Sequence, residues 1–487
     1  MKTLKPLIIL LIVSFISTSC FKDNDDNLIS PNGVKDFVWK GMNLYYLYKE
    51  NIPELSNDAF GINTINNRYG VTASYESFLE GFSSPEALFT SLKYQPETVD
   101  RFSWIVDDYF ELERQFNGIS KTNGMEFSLY ASPNTSNGVF GVIRLVLPNT
   151  DADNKNLKRG HIFYGVDGIN LYYNSATDNN FSLFNSDTYT LNLGVVNDNG
   201  TPETDDDTID SSGESITISK AEYTENPVYK TDILNIGGEN IGYLMYNGFV
   251  NNFETELNNA FGEFKSNNIQ QLVLDLRYNP GGRVSTATLL ASMITGQFTG
   301  DIFEKLIYND NLQNNNTTYN FSNNFNGGSL NNLNLNKVYV LTTDRSASAS
   351  EGLINGLDPY IEVIQIGDNT TGKTQASITI YDSADFGRQG ANPSHTYAMQ
   401  PLVAIGVNKN NLAVPSTGLV PEIPLKEDAF NLGVLGDVNE PLLAAALAEI
   451  ENGTGKMQSI TFKVRTPLKL LKDSNDFYPN KGGMIID

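Results

Sequence analysis

Leu272-Val273-Leu274-Asp275-Leu276-Arg277-Tyr278-Asn279-Pro280-Gly281-Gly282 starts as an apolar run and ends in a Pro-Gly-Gly turn. A run of that length stopped by turn residues reads as a buried strand, and helical spacing then continues to about residue 294. Upstream, 241–246 reads as another buried strand, with a helical stretch near 253–264 between the two. Downstream, 338–342 and 361–366 are strands separated by a helix. This alternation predicts an α/β core whose sheet is at least partly parallel.

The turn at Gly281-Gly282 presents backbone N–H groups just before a helix, where negative charge is welcome. It is not a phosphate loop, since neither GxxxxGK[ST] nor GxGxxG is present. It is either half of an oxyanion hole or simply a tight turn. After the 338–342 strand comes Asp344-Arg345-Ser346-Ala347-Ser348-Ala349-Ser350-Glu351. A serine at a strand-to-helix junction lies near the positive end of the new helix, which favours an anionic intermediate. Yet Ser348-Ala349-Ser350-Glu351 is equally a good capping box. Local sequence does not decide between these readings, or among the three serines.

Together the two motifs closely resemble the signatures of the S41 serine peptidases, the C-terminal-processing or tail-specific proteases. That resemblance implies an α/β peptidase core of the ClpP/crotonase type. It makes Ser348 the nucleophile and Lys373, in the Gly372-Lys373 phrase, the general base. It places the oxyanion donors at Ala349 and at Gly281 or Gly282. A serine hydroxyl needs a base, and a lysine serves if burial lowers its pKa enough for a neutral amine to exist. The apolar strand 361–366 is expected to help form that pocket. Many family members carry a glutamine four residues after the lysine to orient it. Here that position is Ser377, with Gln375 two residues after Lys373, so either is a candidate orienting group.

The rest of the chain fits around this core. The first twenty residues combine Lys2 and Lys5 with an apolar run over 7–16, which is signal-peptide length and too short to span a bilayer comfortably. They end in Ser17-Thr18-Ser19-Cys20, which resembles a lipoprotein signal with Cys20 as the lipidated residue, although Ser17 stands where an aliphatic residue is usual. Residues 21–33 read as a polar tether, and 34–117 as a mostly helical module with an N-cap and proline at Ser84-Pro85. Residues 118–228 are β-rich. There the phrase Leu157-Lys158-Arg159-Gly160-His161-Ile162-Phe163-Tyr164-Gly165-Val166-Asp167-Gly168 resembles the core of a PDZ domain, with His161 where an aspartate is common. Gly124-Met125-Glu126-Phe127 resembles the loop that binds a peptide carboxylate in such modules, as in strand-addition recognition. Residues 229–452 form the catalytic core and 453–487 a C-terminal extension with one expected strand at 460–464.

Composition narrows the function further. Of 487 residues, 33 are basic and 57 acidic, for a net charge of −24, which disfavours nucleic acid as a partner. Cys20 is the single cysteine, and only His161 and His395 offer imidazole, so no metal site is expected. The Asp205-Asp206-Asp207 run lacks EF-hand spacing and reads as an acidic loop. His395 is the one candidate for a rival serine–histidine pairing. No cofactor is implied. The expected partners are polypeptides with accessible C-termini and, through Cys20, a membrane. The expected location is the cell envelope, as an outer-membrane lipoprotein facing the periplasm or the cell surface. The alternatives are a catalytically inactive PDZ-containing surface lipoprotein that binds peptides or other ligands, a glycan-binding lipoprotein, and a hydrolase of nonpeptide esters.

Overall fold

A computed structural model describes residues 31–452 (except 63, 68, 134 and 202–205), 468–477 and 483–486. The leader, Cys20, most of the tether and the 460–464 strand lie outside those residues. The helix expected from residue 34 begins earlier, as α1 (Pro31–Tyr45), so the end of the expected tether is helical. Helices α2 (Ala73–Glu80) and α3 (Pro85–Ser91) pack with α1 around a core of Phe37, Trp39, Tyr46, Tyr75 and Phe89. Ser84 caps α3 by accepting a hydrogen bond from the Ala87 amide at 3.2 Å. A short helix, α4 (Tyr109–Phe116), leads into the β-rich module.

That module supplies six strands of a seven-stranded sheet. Its strands β1 (Met125–Ala131) and β2 (Val139–Val146) pair antiparallel, and alternate side chains bury a cluster around Phe127, Ile143, Phe163 and Leu191. The outer edge of β1 is covered by a strand from the far end of the chain.

The α/β core follows. Strand β3 (Glu239–Tyr246), helix α5 (Glu254–Ser266) and strand β4 (Gln271–Asp275) form a parallel crossover unit. After it come the short strand β5 (Gly281–Arg283), helix α6 (Val284–Thr295), strand β6 (Lys337–Thr342), helix α7 (Ala349–Leu357) and strand β7 (Glu362–Gly367). The β3–β4–β6–β7 ladders are all parallel, as the alternation predicts. Helices α5, α6 and α7 cover one face, and α8 (Pro441–Asn452) covers the other. A second six-stranded sheet contains β5 and β8 (Gln375–Ser377), with one strand between them. The chain ends its described part with β9 (Leu470–Asp473) on the β1 edge and β10 (Gly483–Ile485) in that gap.

A buried ionic cluster fixes the exit of β4. Arg277, fully buried, donates from Nε to Asp275 at 2.9 Å and from Nη1 and Nη2 to Glu440 at 2.6 and 2.9 Å. Arg159, from the β-rich module, meets the same cluster through Glu427 at 2.6 Å and the Tyr278 hydroxyl at 2.5 Å. The phrase 157–168, read in sequence as a peptide-binding core, thus also clasps the module to the α/β core.

Candidate active site

The two motifs interlock through their own hydroxyls. Ser346 Oγ donates to the Leu276 carbonyl at 2.8 Å, and Ser350 Oγ to the Asn279 carbonyl at 3.0 Å. The Ala347 amide also donates to Asn279 O, at 3.1 Å. Two of the three serines are therefore occupied in holding the 276–279 turn. Ser348 Oγ, in capping position over the first turn of α7, is buried and, among the described residues, its hydroxyl finds no acceptor to donate to. Ser348 has φ 63° and ψ −115°, a conformation that a side-chain-bearing residue holds only where its surroundings impose it. Sequence offered three equivalent serines; tertiary hydrogen bonds single out the middle one.

Glu351 joins the serine to the lysine. Its Oε2 accepts from the Ser348 amide at 2.7 Å and the Lys373 amide at 2.9 Å, while Oε1 accepts from the Gly372 amide at 2.7 Å and from the Thr370 hydroxyl. Burial pushes its carboxyl pKa upward against these bonds. The expected capping role was correct for the Ser348 amide but incomplete, because one carboxylate staples two distant backbone segments. No local signal reports that, since the 370–373 loop is brought in by β7.

Lys373 is buried, and burial pushes its amine down from 10.5 to about 8, opposed by Asp100 and Glu351. Its Nζ lies 4.9 Å from the centroid of Phe102 and 5.4 Å from that of Trp104. The desolvating wall thus comes from the end of the helical module, and the expected pocket of 361–366 is corrected: Ile361 and Ile366 pack into the two faces of the core sheet. Arg101 closes the same loop by donating to the carbonyls of Thr371, Gly372 and Ser416.

The candidate lysine-orienting groups are turned elsewhere. Gln375 Nε2 donates to the Tyr48 hydroxyl at 2.9 Å and its Oε1 has no partner among the described residues, and Ser377 Oγ donates to Met484 O at 3.3 Å. Neither bonds the lysine amine. Among the oxyanion candidates, the Gly281 amide is committed to Asn279 Oδ1 at 2.9 Å, so it is not free to receive an anion. Gly281 is required for space: at φ 108°, an added Cβ would lie 2.7 Å from Ser348 Cβ. Gly282 sits beside it in β5, in register with Met484. Ala349 starts α7, where the first-turn amides have no intrahelical acceptor.

At Gly124-Met125-Glu126-Phe127 three of the four amides are already used. Gly124 N–H donates to Thr122 Oγ1, Met125 N–H to Asn123 Oδ1, and Phe127 N–H to Ser474 Oγ, while Glu126 pairs with Arg144 at 2.9 Å. The expected open carboxylate loop is therefore corrected to a strand entry whose first two amides are held by Thr122 and Asn123, while that of Phe127 is held by Ser474 of the C-terminal segment. His161 is half-buried at the start of the following strand. His395 pairs with Asp382 at 3.1 Å and packs on Phe37 and Tyr397. Among the described residues, no group of three His, Cys, Asp or Glu could hold a metal ion.

The profile of Peptidase family S41 matches residues 240–384, and that of the Peptidase S41 N-terminal domain matches residues 33–104. By these two matches the chain resembles peptidase family S41. It is 27% identical over 284 residues to a carboxyl-terminal-processing protease of Picosynechococcus sp., a match covering 57% of this chain and 62% of that relative. A shorter match, 30% over 132 residues, is to the chloroplastic carboxyl-terminal-processing peptidase 3 of Arabidopsis thaliana and covers 27% of this chain and 23% of that protein. The chain thus matches less than two thirds of either relative's length. In fold it resembles the crystal structure of a Bacteroides fragilis NCTC 9343 protein assigned to the S41 proteases, with TM-score 0.66 and 24% identity over 86% of this chain and 97% of that one. The matched segments contain Ser348 and Lys373, and also Phe102 and Trp104 of the lysine's wall.

Proposed function

We propose that this chain is a serine endopeptidase that cleaves exported polypeptides, near their C-termini, through a Ser348–Lys373 dyad. The observation that carries this reading is the buried Ser348 hydroxyl, which among the described residues has no acceptor, fixed through Glu351 to the segment bearing a desolvated lysine. In its neutral form Lys373 takes the Ser348 proton as Oγ attacks the scissile carbonyl. The Ala349 amide receives the developing oxyanion, with Gly282 as the second donor, because Asn279 holds the amide of Gly281. The protonated lysine returns its proton to the leaving amine, giving an acyl-enzyme. Water, deprotonated by the same amine, then releases the product acid. The Oγ–Nζ hydrogen bond is not formed in this structure, and in resting enzymes such contacts commonly tighten only with substrate bound.

The β-rich module acts in this reading as a PDZ-like peptide-binding unit, receiving chains by strand addition at its β1 edge. Lipidation at Cys20 would tether the protein to the outer membrane of the cell envelope. The test is digestion of an unfolded protein with an apolar C-terminus by the chain beginning after Cys20, beside Ser348→Ala and Lys373→Ala, with intact masses read over time. Cleavage lost in both variants is expected. Cleavage that survives Ser348→Ala would remove the nucleophile assignment.

A further inference from the structure

Strands β9 and β10 are the two described strands from beyond the α/β core, and each completes a sheet built by earlier parts of the chain. β9 extends the sheet of the β-rich module antiparallel to β1, with Leu470 opposite Tyr130 and Asp473 opposite Ser128. β10 fills the gap between β5 and β8, parallel to both, with Gly483 opposite Gly281 and Met484 opposite Ala376. Without it, that gap is one strand wide and flanked by two backbone edges, the geometry that receives an extended peptide.

The register places this strand against both chemical groups. A Cβ on Gly281 would meet Ser348 Cβ at 2.7 Å and the Gly483 carbonyl oxygen at 3.0 Å. A Cβ on Gly483, whose φ is 147°, would lie 2.7 Å from Lys373 Nζ. The next residue, Met484, is buried among Val284, Ala376, Val403 and Ala404, an apolar side pocket filled from the strand. Past Ile485 the gap opens into a cavity whose wall includes Phe116, Leu147, Phe249, Val250 and Arg283.

The other contact is ionic. Asp473 Oδ2 receives Arg144 Nη1 at 2.7 Å and Arg345 Nε at 2.8 Å, and Ser128 Oγ at 3.2 Å. Arg144 belongs to β2 and Arg345 to the loop three residues before the nucleophile, so two cations from different modules converge on one carboxylate. Both guanidiniums hold Asp473 well below the usual carboxylate range.

We infer that the β5–β8 gap, with the Arg144–Arg345 pair beside it, is the substrate-strand site of this chain, and that the described residues 468–477 and 483–486 of the same chain occupy it as a competing ligand. The inference rests on the Ser348–Lys373 reading. It defines the substrate class as an extended polypeptide carrying a carboxylate for the arginine pair and, about ten residues further on, a glycine followed by an apolar residue. The resting enzyme is blocked, and a polypeptide substrate must displace the segment. A tethered ligand competes at an effective concentration of about millimolar, so weak contacts suffice.

The test compares the chain from residue 21 onward with versions lacking residues 468–487, or carrying Asp473→Asn or Met484→Asp. Cleavage of an unfolded reporter and the rate of fluorophosphonate capture at Ser348 are the readouts. Deletion is expected to raise both rates about tenfold or more, with the two point variants in between. A synthetic 468–487 peptide added to the deleted chain should restore the block. Should the deleted chain show no cooperative melt, the point variants carry the same comparison. A folded deletion or point variant with unchanged rates overturns the inference. A parallel measurement uses labelled 468–487 peptide on the deleted chain carrying Ser348→Ala, followed by anisotropy. Displacement of the peptide by unfolded reporter supports the shared site even where no form cleaves, a result that would instead remove the peptidase reading. Failure of the peptide to bind, or of the reporter to displace it, overturns the inference.

Discussion

Replacing Lys373 with methionine is expected to abolish activity and stabilise the fold at the same time. The amine is buried against Phe102 and Trp104, and its pKa falls from 10.5 to about 8. At pH 7 about one molecule in ten then carries a neutral lysine, against about one in three thousand for an unperturbed side chain. The same burial has a cost. Between pH 8 and 10.5 the unfolded chain binds the proton that the folded chain has released, so stability rises with pH across that window. At about 1.4 kcal/mol per pH unit separating the two values, the charged lysine destabilises the folded state by about 3 kcal/mol at pH 7, and the penalty vanishes above 10.5. Methionine keeps the apolar stem without the charge. Chemical denaturation at pH 7 should therefore show Lys373→Met more stable by about 3 kcal/mol, with the advantage shrinking towards zero near pH 10.5. In the unsubstituted chain, the proposed mechanism has kcat/KM for reporter cleavage climb about tenfold per unit below pH 8 and level off above it. A methionine variant no more stable at pH 7, or a rate that is flat from pH 6 to 9, would refute the assignment of a desolvated base.

Three further outcomes test the surrounding architecture. Glu351→Gln places an amide NH2 against backbone N–H groups that now face carboxylate oxygen, so stability should fall by about 1–3 kcal/mol in urea titration, and fluorophosphonate capture should slow. Ser348→Gly should be more stable than Ser348→Ala by about 1–2 kcal/mol by the same titration, because glycine tolerates φ 63° and alanine retains the strain, both variants being inactive. His395→Ala should leave reporter cleavage within about twofold in rate, since its ring serves Asp382 and Phe37 packing; a thousandfold loss would revive the serine–histidine pairing.

Much of the core was legible because its signals are local. The 272–276 run, the helix after Gly282 and the 338–342 strand appear within a residue or two of their expected bounds, as periodicity and turn residues allow. The candidate serine and lysine were legible only through the family resemblance, since the same eight residues from Asp344 to Glu351 also make a sound helix cap. What failed were assignments that depend on where a side chain turns. Gln375 opens the strand that begins two residues after the lysine yet reaches Tyr48 of the helical module, and the amides of Gly124 and Met125 are consumed by Thr122 and Asn123. Spacing along the chain carries no information about which of several partners a rotamer selects.

By itself, the sequence determined the α/β alternation, the acidic balance, the scarcity of metal ligands and the pair of motifs that make Ser348 and Lys373 candidates. Only the tertiary structure decided which serine is left unbonded, that Glu351 holds two segments together, that Phe102 and Trp104 desolvate the lysine, and that Gly483–Ile485 lies across them both. Periodicity and caps are set by residues within a few positions of one another. A hydroxyl's partner is set by a segment 70 residues away, and a lysine's solvent and the strand in a gap by segments more than about two hundred residues away, which meet only when the cores close.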